Sequence, residues 1–509
     1  MGWPAEEILR TLQDNGAVKQ ALKAVPEAAY VVLLIELDTL REWLDACYRG
    51  WGRPPWDPVV MLRTFLLMSA CQVTSINKWQ NKLRNNIVLR ALSGFEESDG
   101  VPGVSTFYDY MNRLLDGPPP KVEGVKWVRP SERLSRSFRR DLKAEKEART
   151  KGTVGETAQR ALAFLDQLEA QPKSALLGSF GERMQVLLRF AVQESVARGL
   201  FRTANGVALS VDGSLVESQA SKKGIPEPDL ADGVRVFSDP TATFARKRDD
   251  PWVFGYKLHA AAIKVGKVEL PVALSVAPAH TADCMMAAMD TVSAKFALKG
   301  LKITALLGDA GYDSSAMFGF ARTLNMHPII ALKAPIITQD NVSRDTLSGQ
   351  PLCPAGLVMR CHGRQGDKVV FNCPVRRPNH DGQIIDHVEE CPWGKLCDPE
   401  SKMGPYLRLQ IADSPKANLL IYPGTPRWKR LYSERTAVER IFSRLKVAGH
   451  LGARPYRRMH VFHFVAVCQS MVMHMRAWAK QLGGLVKPKT VAEMYALVDR
   501  LVEGRRQPA

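Results

Sequence analysis

The chain has 509 residues, 45% apolar and 24% charged, with a formal net charge of +18 and a pI near 9.5. That length suits about three domains, and the composition excludes a disordered or fibrous chain. The excess of positive charge favours a polyanionic partner, nucleic acid before anionic membrane.

The opening Met-Gly-Trp-Pro-Ala-Glu-Glu has neither a basic nor an apolar leader segment, so no secretory signal is expected. No run reaches the ~18 apolar residues of a membrane span. The best candidate, Val461 to Val472, is interrupted by His463, Cys468, Gln469 and Ser470 and reads as a buried helix. Nine cysteines at irregular spacing point to a reducing compartment, not a disulfide scaffold.

Residues 1–116 read as a helical domain for DNA binding or dimerisation. Asp57-Pro58 supplies an N-cap and a first-position proline before Val59, Met61, Leu62 and Phe65. Thr74-Ser75 opens a second helix carrying Ile76, Trp79, Leu83 and Ile87, with Lys78, Lys82, Arg84 and Arg90 around it. After the glycine-rich break from Gly94 to Gly103, Ser105 is expected to cap a third helix. Capped helices with basic faces suit a helix-turn-helix-like DNA reader; a plain helical packing domain is the alternative.

Residues 117–154 form a basic linker, with eleven Lys/Arg against five Asp/Glu between Lys121 and Lys151. A helical connector is expected over 155–204. From 205 to 334 the texture changes to strands: Val207 to Asp212, Phe254 to Ile263, Val268 to Val276, Ile303 to Asp309 and Pro328 to Leu332. One helix near 282–296 precedes the fourth strand and another, 313–324, follows it. Three strands, helix, strand, helix, strand is the order of a ribonuclease-H-like α/β core, a mixed sheet flanked by helices. Residues 335–425 read as a β-rich, cysteine-containing insertion. The core resumes over 426–480, and 481–509 forms a C-terminal helix, opened by a capping box at Thr490-Val-Ala-Glu493, and a basic tail.

Two carboxylates end core strands: Asp212, before Gly213-Ser214, and Asp309, in Gly-Asp-Ala-Gly-Tyr-Asp. The strands that carry them are neighbours in such a sheet, so the acids meet at their tips. A third acid lies in Tyr-Ser-Glu-Arg-Thr-Ala-Val-Glu-Arg-Ile-Phe-Ser-Arg-Leu-Lys, with Arg435, Glu439 and Lys446 three, seven and fourteen residues after Tyr432. At about 100° per residue these four share an arc roughly 60° wide on one helix, and Glu434 falls opposite. Three converging carboxylates suit two divalent cations about 3.5–4 Å apart, Mg2+ or Mn2+ for hard oxygen ligands. Arg435 and Lys446 can hold phosphates, and Tyr432 can bond a phosphate or stack on an unpaired base. Asp283, Asp313 and Glu434 read as turn formers or helix caps.

The spacing Tyr-x2-Arg-x3-Glu-x6-Lys resembles the signature of bacterial insertion-sequence transposases of the DDE class that carry a YREK motif. Asp-Gly-Ser at the first strand, Asp-x-Gly-Tyr after the fourth, and the segments Pro58 to Arg63, Asn85 to Gly94 and Ser105-Thr-Phe are also similar to that family. The likeness covers about residues 55–115 and 205–480. It implies Asp212, Asp309 and Glu439 as the metal triad, with Tyr432, Arg435 and Lys446 handling DNA. It further implies cut-and-paste excision and strand transfer by a homodimer on double-stranded terminal inverted repeats and target DNA, in a bacterial, nucleoid-associated, cytoplasmic setting. A nuclease of the same core without strand transfer and a transposase-derived DNA-binding protein are the alternatives. No tryptophan stands out as a wedge between bases; Trp393 and Trp428 are candidates, or packing residues.

Five of the nine cysteines lie in the insertion: Cys353, Cys361, Cys373, Cys391 and Cys397. A small loop-rich piece often needs a metal staple, so a structural Zn2+ on Cys361, Cys373, Cys391 and Cys397 is one expectation. Free thiols are the other, since the spacings fit no standard zinc pattern.

Overall fold

A computed structural model describes residues 34–48, 56–95, 100–115, 124–126, 159, 163, 180–226, 234–246, 250–334, 336, 341–378, 383–394, 396–397, 400–401, 403–453 and 456–481. The basic linker apart from a short strand at 124–126, the connector from 164 to 179, and the capping box at Thr490 lie outside the described residues.

In the N-terminal region, α1 (Pro58–Ala70) starts as its sequence predicts: the Asp57 carboxylate accepts the backbone N–H groups of Val59 and Val60. Its entire length is buried. The helix expected from Ser75 through Ile87 is instead two, α2 (Ile76–Asn85) and α3 (Ile87–Ser93). Asn86 breaks them because its side chain accepts from Leu89 N–H and caps α3. Ile87 thereby moves to the surface, 45% exposed, while Trp79 and Leu83 stay in the core. Ser105 is not a cap either: α4 (Val104–Arg113) has Gly103 at its N-cap, which places Ser105 in the first turn.

The core sheet contains β1 (Val207–Glu217), β2 (Thr243–Ala245), β3 (Val253–Val265), β4 (Val268–Pro278), β5 (Ile303–Gly308) and β6 (His327–Ile330). Its order is β4-β3-β1-β5-β6, with β2 extending the outer edge of β3 beyond β4. The first three are antiparallel; β5 and β6 run parallel to β1. This mixed sheet is the ribonuclease-H-like arrangement the element order predicts. Residues 207–211 are buried on both faces, the near-continuous apolar run expected of a central strand with a parallel neighbour. Asp212 does not end its strand, however. It is β5 that stops, at Gly308, and β1 runs on to Glu217 against β3 alone.

One face of the sheet carries α6 (Asp283–Ala297). Beyond β4 the fold continues through α5 (Phe180–Ala197) and α10 (Met459–Gln481), which pack on that strand and on each other. The α10 helix is buried nearly all round because it fills the seam between the sheet, α5 and α1, the role its sequence suggests. Phe65 of α1, Tyr110 of α4 and Phe464 of α10 form an aromatic cluster that joins the N-terminal helices to the core. In the insertion, β7 (Arg360–Gln365), β8 (Lys368–Asn372) and β9 (Tyr406–Gln410) make a three-stranded antiparallel sheet, as its alternating pieces suggest. Among the described residues no helix is long and apolar enough to cross a membrane.

Candidate active site

Strand alternation sets the positions of the first two acids. Ser210 of β1 pairs with Leu307 of β5, and Asp212 and Asp309 each lie two residues farther on. With a side-chain period of two, both belong to the face carrying Ser210 and Leu307. At the Asp309 end the chain turns at once. The Asp309 carboxylate accepts Gly311 N–H at 2.7 Å, capping a single 3-10 turn, Ala310–Tyr312, and α7 (Ser315–Thr323) follows. Asp212 accepts the N–H of Gly213 at 2.7 Å.

Over the same face lie α8 (Pro426–Ser433) and α9 (Thr436–Ser443). They are not the one continuous helix the signature spacing suggests. At the junction, Glu434 N–H bonds Leu431 O, Ala437 N–H bonds Glu434 O, and the Thr436 hydroxyl donates to Ser433 O. These three-residue bonds tighten the backbone between α8 and α9, although Glu434 and Arg435 keep helical dihedrals. Farther on, residues Arg444–Ala448 widen into a π-turn, with Gly449 N–H reaching Arg444 O. Tyr432 and Glu439 therefore stand on two successive α-helices and Lys446 on the π-turn that follows.

Tertiary packing still gathers much of the set. Leu431, Tyr432 and Trp428 lie against Ala208, Ala305, Leu307 and Ile329 of the sheet, and Ser210 Oγ donates to Glu434 O. Arg435 is the centre: its guanidinium bonds Glu439 Oε1 at 2.7 Å and stands 3.8 Å from Asp212 Oδ2. It also lies over the Tyr432 ring, which stacks in turn on Trp428 with centroids 4.4 Å apart. Burial alone would lower the Arg435 pKa, but Tyr432, Glu439 and Asp212 together raise it above its ordinary value. Lys446 is placed differently: its ammonium donates to Ser214 Oγ at 2.6 Å and Leu215 O at 2.7 Å, pinned to the far half of β1.

Of the acids read as bland, Asp313 pairs with Lys416 at 2.7 Å and accepts Lys333 N–H, while Ser314 caps α7. Glu434 lies in the α8–α9 junction, its pKa raised by burial. Asp283 is the one the sequence undervalues. It caps nothing, since Ala282 is the N-cap of α6. Its Oδ1 fills the space a Cβ on Gly213 would need and pairs with Lys257 Nζ at 3.1 Å. The signal was the glycine directly after Asp212, which leaves room for a fourth carboxylate beside the others.

In the insertion, Cys373 and Cys397 are both tied to Arg376, the first accepting its backbone N–H and the second its guanidinium N–H. Cys361 sits in β7 opposite Phe371 with its thiol pKa raised by burial. Among the described residues no three His, Cys, Asp or Glu side chains are gathered closely enough to hold a metal ion, so neither the four cysteines nor the three acids form a closed ligand set as they stand. Trp393 is exposed, and Trp428 is the packed one of the two candidate wedges.

Two family models match the chain. Residues 22–113 match a transposase domain (DUF772), and residues 206–391 match a transposase DDE domain. No curated protein matches the chain. The second match spans the sheet with Asp212 and Asp309 and ends before Tyr432, Arg435, Glu439 and Lys446. With a DDE domain on this ribonuclease-H-like sheet and a transposase domain before it, the chain belongs to the DDE-class transposases of insertion sequences.

Proposed function

We propose that this transposase works by cut-and-paste, acting as a homodimer on double-stranded terminal repeats, with Asp212, Asp309 and Glu439 as its catalytic acids and the YREK subgroup as its place in the family. The observation that carries the reading is that Asp212 and Asp309 each lie two residues past the Ser210–Leu307 pair of adjacent parallel strands, with Glu439 joined to Asp212 through Arg435.

The donor chemistry fits divalent cations. All three acids are hard oxygen donors, and the charge now set between two of them, Asp212 and Glu439, is a guanidinium whose buried Nε has no hydrogen-bond partner. Glu439 is 47% exposed and has room to change rotamer away from Arg435. Asp212, Asp309 and Glu439 would hold the ions, which supply Lewis-acid polarisation of the scissile phosphate and a more acidic attacking water or 3′-hydroxyl. The protein's own groups do the rest. Arg435, released from Glu439, can fork onto a flanking phosphate, and the Trp428–Tyr432 stack offers an aromatic surface to an unpaired base.

A 3′-end joining assay tests the function. Labelled DNA carrying the element's terminal repeats should be cut at the repeat end in Mg2+ and joined to a target plasmid. Cutting without joined product would favour the nuclease reading; sequence-specific binding without cutting would favour a DNA-binding derivative. For Lys446 the expectation is a phosphate contact made once DNA displaces Ser214 and Leu215. Lys446→Ala should then weaken end binding and lower the slope of log K against log salt by about one. An unchanged slope with a lower melting temperature would assign Lys446 to tethering β1 instead.

A further inference from the structure

Beneath the acid cluster lies a polar chain that none of the assigned roles uses. Asp290 of α6 is fully buried, and its carboxylate accepts from three donors: His259 Nδ1 at 2.7 Å, Ser275 Oγ at 3.0 Å and Gln185 Nε2 at 3.0 Å. His259 of β3, also fully buried, bonds the Tyr312 hydroxyl through Nε2 at 2.9 Å. A carboxylate on Nδ1 fixes that nitrogen as the donor, so the neutral ring presents its Nε2 lone pair and the tyrosine O–H donates to it. The chain thus runs Asp290, His259, Tyr312 without a break, and its base is gathered from α5, α6, β3 and β4.

Both ends of the acid cluster touch this chain. Tyr312 closes the turn that Asp309 caps: its backbone N–H bonds Asp309 O at 3.1 Å. Its ring lies against Gly308, where a Cβ would stand 2.9 Å from Cδ2. His259 pairs directly across from Gly213, the residue after Asp212, and a Cβ there would stand 3.4 Å from its Cδ2. The glycines flanking the two aspartates are therefore the positions where the network approaches the backbone. A buried polar network with every member bonded holds its geometry tightly, because any displacement leaves a polar group unpaired.

We infer that Tyr312, held by His259 and Asp290, is a positioning residue that fixes the Asp309 turn against Asp212 and so sets the spacing of the two carboxylates. This deepens the proposed function and rests on those acids binding divalent ions.

The test compares the full chain with Tyr312→Phe and His259→Gln, reading Mn2+ binding by titration calorimetry without DNA, binding of the terminal repeats, and single-turnover cleavage. Removing the tyrosine hydroxyl should weaken Mn2+ binding or slow cleavage by about 10–100-fold, the usual cost of losing an outer-shell partner. Repeat binding and cooperative melting should be retained. His259→Gln, whose side-chain amide can still meet the tyrosine hydroxyl, should lose less than Tyr312→Phe. If both variants keep wild-type Mn2+ affinity and cleavage rate, or lose them only in step with fraction unfolded, the inference is overturned. If the wild-type chain binds no Mn2+, the functional reading fails first and this inference with it.

Discussion

Glu439→Gln should leave a protein that folds and binds its DNA ends but cuts them slower by a factor on the order of 10^3 or more, about 4 kcal/mol of transition-state stabilisation. The substitution keeps the length of the side chain, and its amide oxygen can still accept from Arg435, which now bonds Oε1 at 2.7 Å. Only the charge is lost. Without it, two carboxylates would have to bind and orient the ions alone. Removal of a negative charge beside the site should, if anything, tighten binding of the phosphate backbone. The measurement is cleavage of end-labelled repeat DNA in Mg2+ and in EDTA, with a gel-shift control. Cutting by the variant at the wild-type rate would remove Glu439 from the proposed triad. It would also make Asp283, already beside Gly213, the next acid to test.

Acid should unfold this protein through α10. His460, His463 and His474 are all buried in α10, and burial lowers each pKa to about 4, with Arg458 adding to the effect at His460. Burial outweighs the backbone carbonyls that two of them meet, which by themselves would raise the pKa. His463 Nε2 meets Leu274 O, and His474 Nε2 meets Pro271 O. His474 Nδ1 stands 2.7 Å from Ser195 Oγ, which also receives the Trp478 N–H.

The folded pKa is depressed below an unfolded value of about 6.5, so the unfolded chain binds protons first. Stability from this source is fully present above pH 6.5 and is lost as pH falls toward 4. At about 1.36 kcal/mol per pH unit per histidine, three groups remove roughly 4 kcal/mol between pH 7.5 and 5.5. That is a large share of a typical net stability of about 5–15 kcal/mol. Asp290, whose carboxyl burial raises, acts in the opposite sense as pH falls, so the histidine effect is read in the upper part of the acid range. Urea unfolding at the two pH values checks it: a flat stability would mean these histidines titrate normally.

Much of the catalytic sheet could be read directly from the chain. The five core strands and two helices between 207 and 332 lie within a few residues of their expected positions, because buried strands and amphipathic helices announce themselves by composition and period. Local chemistry decided the misses. Asn86 looks like a helical residue until its side chain is seen capping the next helix. Thr436 and the tightened bonds around Glu434 split a segment whose spacing alone suggests one helix. The helical wheel therefore holds for its first three members and fails at the fourth. Tyr432, Arg435 and Glu439 meet at spacings of three and four residues, with α8 and α9 laid on the sheet, while Lys446, beyond the start of the π-turn, is pinned to β1.

The class of fold and the basic character of the molecule are written in residue type, spacing and charge, and the same signals single out the acids proposed for the site. Which groups stand together across the sheet follows from the packed fold alone. Arg435 against Asp212, Asp283 beside Gly213, and Tyr312 joined through His259 to Asp290 are contacts between residues far apart in the chain. Sequence periodicity reports which face of an element is buried. It carries no record of the partner that a buried polar group must find once water is excluded, and here those partners come from other strands and helices.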